Sequence, residues 1–151
     1  MTKDFIEKLN RFIGKESEVV IWEVEKGAIA KFAEAVGDSN PLWLDDAYAS
    51  NTRYGGLIAP PTFITSMRND SLRDEINGLN WPYKRRLNGG NDIELYQPIR
   101  VGDSIKVIDK LVDINEKQVK RGKMITMVYE TTYINQFGEL VAKVTTNAIR
   151  L

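Results

Sequence analysis

The chemistry open to this chain is limited by the residue types that it lacks. Its 151 residues include no histidine and no cysteine, which excludes an imidazole base, an imidazole metal ligand and a thiol nucleophile. Acid–base work would therefore fall to carboxylates such as Asp38 and the adjacent pair Asp45 and Asp46. Each also has a structural interpretation, because Asp stabilises turns and helix starts by hydrogen bonds to the backbone. We expect the pair to cap the segment that contains Tyr48.

Two short segments combine unusual residues. Pro60 and Pro61 fit the start of a helix, where backbone N–H groups lack partners in any case. The basic run Lys84-Arg85-Arg86 is suited to phosphate groups, although a solvated loop is the simpler interpretation. The basic turn at 116–123 is expected to be a solvated hairpin end.

Composition excludes several kinds of partner. Lys and Arg together number 21, as do Asp and Glu, so no strong net charge attracts nucleic acid or an anionic membrane. No apolar run approaches the roughly 20 residues of a membrane span, and the polar start does not resemble a signal peptide. The lack of cysteine is compatible with a reducing compartment, and we expect a cytoplasmic protein. The length is that of one domain, 1–151.

The elements that must position these residues fall into two groups. Amphipathic periodicity predicts a helix over 4–13, within an N-terminal extension 1–14, and a second helix over Lys26–Val36 that ends at Gly37. Residues 70–90 are polar and irregular and predict a long loop. Strands are predicted at 17–24, 91–96, 104–115, 124–135 and 139–151. Helices followed by consecutive antiparallel strands indicate the α+β class.

Three segments in this order resemble the MaoC-like (R)-specific enoyl-thioester hydratases and 3-hydroxyacyl-thioester dehydratases, most closely the FAS1-like dehydratase domains. They are 30–45 (AKFAEAVGDSNPLWLD), 56–63 (GLIAPPTF) and 97–103 (QPIRVGD). The resemblance spans about 17–151. It implies a single hot-dog domain, in which a curved antiparallel sheet wraps around a long central helix that begins near Pro61. Such domains usually pair edge to edge.

The resemblance also implies which positions carry chemistry. Active members use an Asp and, after four further residues, a His to activate water for addition to the double bond beside the thioester carbonyl. A backbone N–H at the start of the central helix polarises that carbonyl. This chain keeps the aspartate as Asp38, but the histidine position is Trp43 and the usual glycine donor is Pro61, which has no N–H. Both catalytic positions are therefore degenerate.

The function that the resemblance implies is a non-catalytic subunit. Such a chain forms the acyl tunnel of a heteromeric (R)-specific enoyl-CoA hydratase or 3-hydroxyacyl-thioester dehydratase. The Asp-x₄-His pair comes from a partner hot-dog chain in a heterodimer or heterotetramer. The substrate is a thioester of coenzyme A or acyl carrier protein, with no metal or other cofactor expected, and Lys84-Arg85-Arg86 would meet its phosphates. Substrate contacts are expected from Asn40, Trp43, Pro60, Pro61, Thr62 and Phe63.

Other functions stay open at this point. A self-sufficient homodimer could act as an acyl-CoA thioesterase, with Asp38, Asp92 or Glu94 as its base. A pure acyl-thioester binding module is a third possibility. Trp43 is equally well explained as an ordinary buried aromatic. The N-terminal helix is suited either to a partner subunit or to this domain's own sheet.

Overall fold

The computed structural model describes residues 2–120 and 122–151, so Arg121 of the predicted basic turn lies outside the described residues. Five strands form one antiparallel sheet in the order β1-β3-β4-β5-β2. They are β1 (Val20–Glu23), β2 (Arg86–Leu95), β3 (Ser104–Val119), β4 (Gly122–Ile134) and β5 (Leu140–Arg150). The antiparallel sheet and the α+β class are confirmed. The first strand is shorter than predicted, and β3 and β4 extend further toward their hairpin.

The helices precede most of the sheet in the chain. They are α1 (Thr2–Asn10), α2 (Lys26–Val36), α3 (Pro41–Leu44), α4 (Asp46–Ser50) and α5 (Ser71–Asn77). In α1 the side chain of Leu9 is fully buried in a cluster with Leu111 and Ile125 of the sheet. This helix therefore covers its own domain. In the part of the chain that the structure describes, no helix is both long and apolar enough to cross a bilayer.

The second helix has the predicted bounds, and its end fixes the next turn. Ile29 and Ala33 are fully buried on its inner face. Gly37 has a left-handed φ of 72°, a backbone conformation that residues other than glycine adopt only at a cost in free energy. The N–H of Asp38 then donates to Ala33 O at 2.8 Å. The N–H of Gly37 donates to Glu34 O at 3.1 Å, and the two hydrogen bonds together end α2 and turn the chain toward α3.

The central segment begins at Pro61, as expected, but it is divided rather than one long helix. A 3₁₀ segment spans Pro61–Ser66, and α5 follows after a break. Buried Asn69 holds the break, because its amide donates to Glu18 O at 2.6 Å and to Val107 O at 2.8 Å. Phe63 and Ile64 of the 3₁₀ segment are buried against the sheet.

Residues 70–90 are not the long loop that was predicted. They include α5 and the start of β2 at Arg86. Leu72 and Ile76, four residues apart, are buried against the sheet, so α5 is a real if short amphipathic helix. The polar remainder of the stretch concealed this pattern.

The edge strand β2 is exposed along nearly its whole length. A bulge interrupts its pairing with β5 between Asn88 and Asn91. Gly89 lies within it, where an added Cβ would stand 3.0 Å from the backbone oxygen of Asn147. A side chain there would crowd β5, so the bulge favours glycine at this position.

Candidate functional site

A pocket of about 420 Å³ opens beside the start of the 3₁₀ segment, within the size range of small-molecule sites. Its inner walls are apolar and buried, and they include Trp43, Ile58, Ala59 and Ile99. Pro61 borders it on the exposed side. The pocket therefore brings together Trp43 and Pro61, the two positions at which the resemblance implies histidine and a glycine donor.

Backbone hydrogen bonds bring three distant stretches of sequence to this pocket. The N–H of Ile58 donates to Leu42 O at 3.3 Å, and the N–H of Ala59 donates to Ile99 O at 2.8 Å. Ile58 also forms an isolated antiparallel bridge with Arg100. The segments 30–45, 56–63 and 97–103 thus converge on one place in the fold.

Asp38 and Asn40 hold the turn before α3. The Asp38 carboxylate accepts from the N–H of Asn40 at 3.1 Å, and the Asn40 side chain accepts from the N–H of Leu42 at 3.0 Å. Asn40 is thereby the N-cap of α3. These bonds orient the short helix that carries Trp43.

The four predicted substrate contacts at the start of the 3₁₀ segment differ in burial and surroundings. They are Pro60, Pro61, Thr62 and Phe63. Pro60 is buried, whereas Pro61 and Thr62 are exposed. Phe63 packs edge-on against Phe32 of α2, with the ring centroids 5.5 Å apart. It lines a different hollow, of about 570 Å³, between α2 and the 3₁₀ segment. Of these four residues, Pro61 is the one that borders the pocket shared with Trp43.

The mouth of the Trp43 pocket carries residues that the sequence did not single out. Arg53 and Tyr54 lie on one side, and Leu95 and Tyr96 at the end of β2 lie on the other. The Arg53 guanidinium stands 4.9 Å from the Tyr54 ring centroid and donates to its hydroxyl at 2.7 Å. That hydrogen bond raises the pKa of Arg53. The pocket thus combines an apolar interior with a cation at its entrance.

Comparison with known proteins identifies the family. The chain matches the family described as FAS1-like, dehydratase domain region over residues 11–144. It is also 32% identical over 141 residues to a UPF0336 protein of Parafrankia sp. (strain EAN1pec), covering 91% of each chain. The chain belongs to the FAS1-like dehydratase domain family.

Solved structures share the fold of this FAS1-like domain. The ChsH1–ChsH2 complex of Mycobacterium tuberculosis includes a chain that superposes with a TM-score of 0.84 at 20% identity, over 99% of this chain and 96% of that one. A chain of the HadBC (3R-hydroxyacyl-ACP dehydratase) complex of the same organism gives 0.77 at 19% identity, over 91% and 96%. These similarities confirm the single hot-dog fold.

The other acidic candidates of the FAS1-like domain lie outside the pocket. Asp45 caps α4 by accepting from the N–H of Tyr48 at 3.0 Å, as predicted. Asp46 instead forms an ion pair with Lys26. Asp92 and Glu94 are exposed on β2.

The basic run Lys84-Arg85-Arg86 lies far from the pocket. The expected loop is only partly present, because Arg86 begins β2 and pairs with Arg150 of β5. The pocket borders the opposite end of β2, roughly 30 Å away at about 3.3 Å per strand residue. A phosphate contact by this run stays a prediction, and Arg53 is the cation that the fold places at the pocket.

A second, polar pocket of about 340 Å³ lies beneath the break in the central segment. Arg73 of α5 donates to the fully buried Asp109 from Nε at 2.7 Å and from Nη2 at 3.0 Å. The Thr131 hydroxyl donates to the same carboxylate at 2.7 Å. Burial opposes the charge on Arg73, but the hydrogen bonds and charge of Asp109 outweigh it and raise the pKa of the guanidinium. This network was not predicted from the sequence, because its members are far apart in the chain.

Proposed function

We propose that this chain is the non-catalytic, tunnel-forming subunit of a heteromeric (R)-specific enoyl-thioester hydratase or 3-hydroxyacyl-thioester dehydratase. The observation that carries the proposal is Trp43, buried in the pocket wall at the position where active relatives are expected to hold histidine. An indole neither accepts nor releases a proton near neutral pH. The pocket has the shape of a binding site without the group that would transfer a proton.

The remaining groups at the pocket do not replace what is missing. Asp38 is engaged in the turn before α3. Pro61 begins the 3₁₀ segment without an N–H for a carbonyl oxygen. A missing general acid or base typically costs a factor of ~10²–10⁴ in rate, and a missing oxyanion donor costs a further ~10²–10³. Little turnover is expected from this chain alone.

A partner chain would supply the missing dyad. Two of the solved structures that share this fold come from complexes, ChsH1–ChsH2 and HadBC, which supports a heteromeric assembly here. In our proposal the partner carries Asp-x₄-His, and this chain contributes the apolar wall around Trp43. The substrate is a thioester of coenzyme A or acyl carrier protein, and Arg53 lies where its phosphates would enter.

Co-expression tests the proposal. The chain is produced alone, and together with a hot-dog chain from the same organism that contains Asp-x₄-His. Purification establishes whether the two form a stable complex, and loss of crotonyl-CoA absorbance measures hydration. We expect a complex in which only the pair is active and in which substitution of the partner's histidine by alanine abolishes the rate.

Two results would contradict the proposal. One is hydration of crotonyl-CoA by the chain alone that Asp38→Ala abolishes. The other is hydrolysis of acyl-CoA by the chain alone, which would indicate a thioesterase with a carboxylate base.

A further inference from the structure

Among the described residues, nothing accepts a hydrogen bond from the indole N–H of Trp43. Its Nε1 atom is shielded from solvent, and no acceptor reaches it within residues 2–120 and 122–151. The other two tryptophans differ, because Trp22 donates to Arg68 O at 2.9 Å and Trp81 donates to Ile76 O at 2.7 Å. Buried donors in native proteins are nearly always paired. An unpaired donor therefore calls for an explanation at this one position.

The indole belongs to an apolar cluster that includes Ile58, Ala59 and Ile99. The nearby backbone oxygens of Leu42 and Ile99 each accept from a backbone N–H, of Ile58 and Ala59 respectively. The buried walls beside the indole are aliphatic, and a trapped water needs two to four polar partners. The free chain thus keeps a desolvated donor in the wall of a binding-sized pocket.

The start of the 3₁₀ segment has the opposite deficiency. Pro60 and Pro61 have no N–H to offer to a ligand beside them, although Pro61 borders the same pocket. At these two positions a ligand carbonyl therefore finds no backbone donor. The indole is a donor without an acceptor in the same wall.

We propose that the Trp43 Nε1–H donates a hydrogen bond to the carbonyl oxygen of an acyl thioester bound in this pocket. The inference rests on the proposed function for its ligand class. Three features fit that ligand: the unpaired donor matches the carbonyl, the aliphatic walls match the acyl chain, and Arg53 at the mouth matches the phosphates. Trp43 is then a positioning residue, which holds the thioester but moves no proton. Because Nε1 is covered in the free chain, the indole must turn slightly toward the bound oxygen.

Indole nitrogen–proton correlation spectra test this directly in the intact chain. Three signals are expected from ¹⁵N-labelled tryptophan, and Trp43→Phe identifies one by its loss. Saturating butyryl-CoA, which is not hydrated, should move the Trp43 proton downfield, while the signals of Trp22 and Trp81 stay in place as internal controls. S-Butyl coenzyme A, a thioether that lacks only the carbonyl oxygen, should leave all three unchanged.

Affinity provides an independent readout. Loss of one hydrogen bond to a neutral acceptor corresponds to about a tenfold weaker Kd. Trp43→Phe should weaken butyryl-CoA by about that factor and leave S-butyl coenzyme A almost unaffected. A purely structural tryptophan would change both ligands alike. Where Trp43→Phe folds poorly, Trp22→Phe and Trp81→Phe assign the Trp43 signal by exclusion, and the spectra of the unsubstituted chain then decide the matter.

Some results would overturn the inference. They are an unmoved Trp43 signal in saturated protein, an equal shift with the thioether, a shift caused by the partner subunit alone, and no binding of butyryl-CoA either to the chain or to the pair. If the pair is active but the Trp43 signal does not move, the inference is wrong and the proposed function is unaffected. If the Trp43 signal moves but the pair is inactive, the proposed function is wrong and the hydrogen bond from Trp43 is supported.

Discussion

At the scale of single residues, two buried ionisable groups in the sheet interior affect the stability of the fold. Asp109 has no exposed surface, and its charge is balanced by Arg73. Tyr133 is 5% exposed on the neighbouring strand β4. Tyr133 borders the polar pocket described above, and Asp109 accepts a hydrogen bond from Arg73, which also borders it. Each gives a prediction that can be measured on the isolated chain.

Removing the Arg73 guanidinium alone should lower the free energy of unfolding more than removing both Arg73 and Asp109. Arg73→Met leaves a buried carboxylate without its counter-charge, which typically costs about 3–5 kcal/mol. The double variant Arg73→Met with Asp109→Leu should recover most of that loss. Urea unfolding of the two variants and the parent measures the difference. A double variant as unstable as the single one would contradict this account of the pair.

Alkaline pH should destabilise the fold through its buried tyrosines. Burial raises the pKa of Tyr133 to about 12, above the value of about 10 in an unfolded chain. The unfolded chain therefore ionises first, and stability that is present below about pH 10 is lost as the pH rises toward 12. Tyr133→Phe should make this decline less steep. Tyr129, with a pKa also raised to about 12 by burial, should sustain the rest; an unchanged slope in Tyr133→Phe would refute the assignment.

At the scale of elements, the turn that presents Trp43 depends on how α2 ends. Gly37 adopts a φ of 72° at that end, whereas Gly27 lies within the helix with open space around its Cα. Alanine should therefore act oppositely at the two positions. Gly37→Ala should cost about 1–2 kcal/mol because of the left-handed conformation. Gly27→Ala should stabilise by up to about 1 kcal/mol.

Thermal and urea unfolding of the two alanine variants, measured side by side, check this contrast. Each is the matched control for the other, since one adds a methyl group inside α2 and the other adds the same group at the residue that ends it. Equal effects would show that the end of α2 imposes no left-handed constraint.

The elements also show what the sequence can and cannot reveal. The bounds of α2 were predictable, because its apolar residues follow helical spacing and a glycine ends it. The start of β2 was not, because the exposed edge at 86–91 lacks the alternation that a buried face imposes. The break at Asn69 depends on bonds to residues about 40 to 50 positions away. Such long-range contacts leave no local pattern.

Part of the candidate site could be anticipated in the same way. Trp43 and Pro61 could be singled out because the resemblance implies histidine and glycine at those positions, and both residues border one pocket. The mouth of the pocket could not, since Arg53 and Tyr96 come to border one pocket only in the folded chain, although 43 positions separate them. The unpaired state of the Trp43 N–H is a property of packing, which a list of residues does not contain.

At the scale of the whole molecule, the exposed edge strand β2 ends beside the Trp43 pocket. The strand β2 exposes almost every residue, and the Trp43 pocket opens beside its last residues. Long unpaired edges are usually protected in native proteins by a partner or a covering element. A partner paired along β2 would therefore lie next to the pocket.

The most direct test of the central claim compares two conservative substitutions in the assembled pair. Asp38→Asn in this chain keeps a side-chain oxygen for the turn but removes the charge, and the matching Asp to Asn change is made in the partner's Asp-x₄-His motif. Initial rates of crotonyl-CoA hydration are then measured. We predict that Asp38→Asn retains nearly the full rate, whereas the partner variant loses a factor of ~10²–10⁴. A comparable loss from Asp38→Asn would contradict the account, because it would place an acid–base group in this chain.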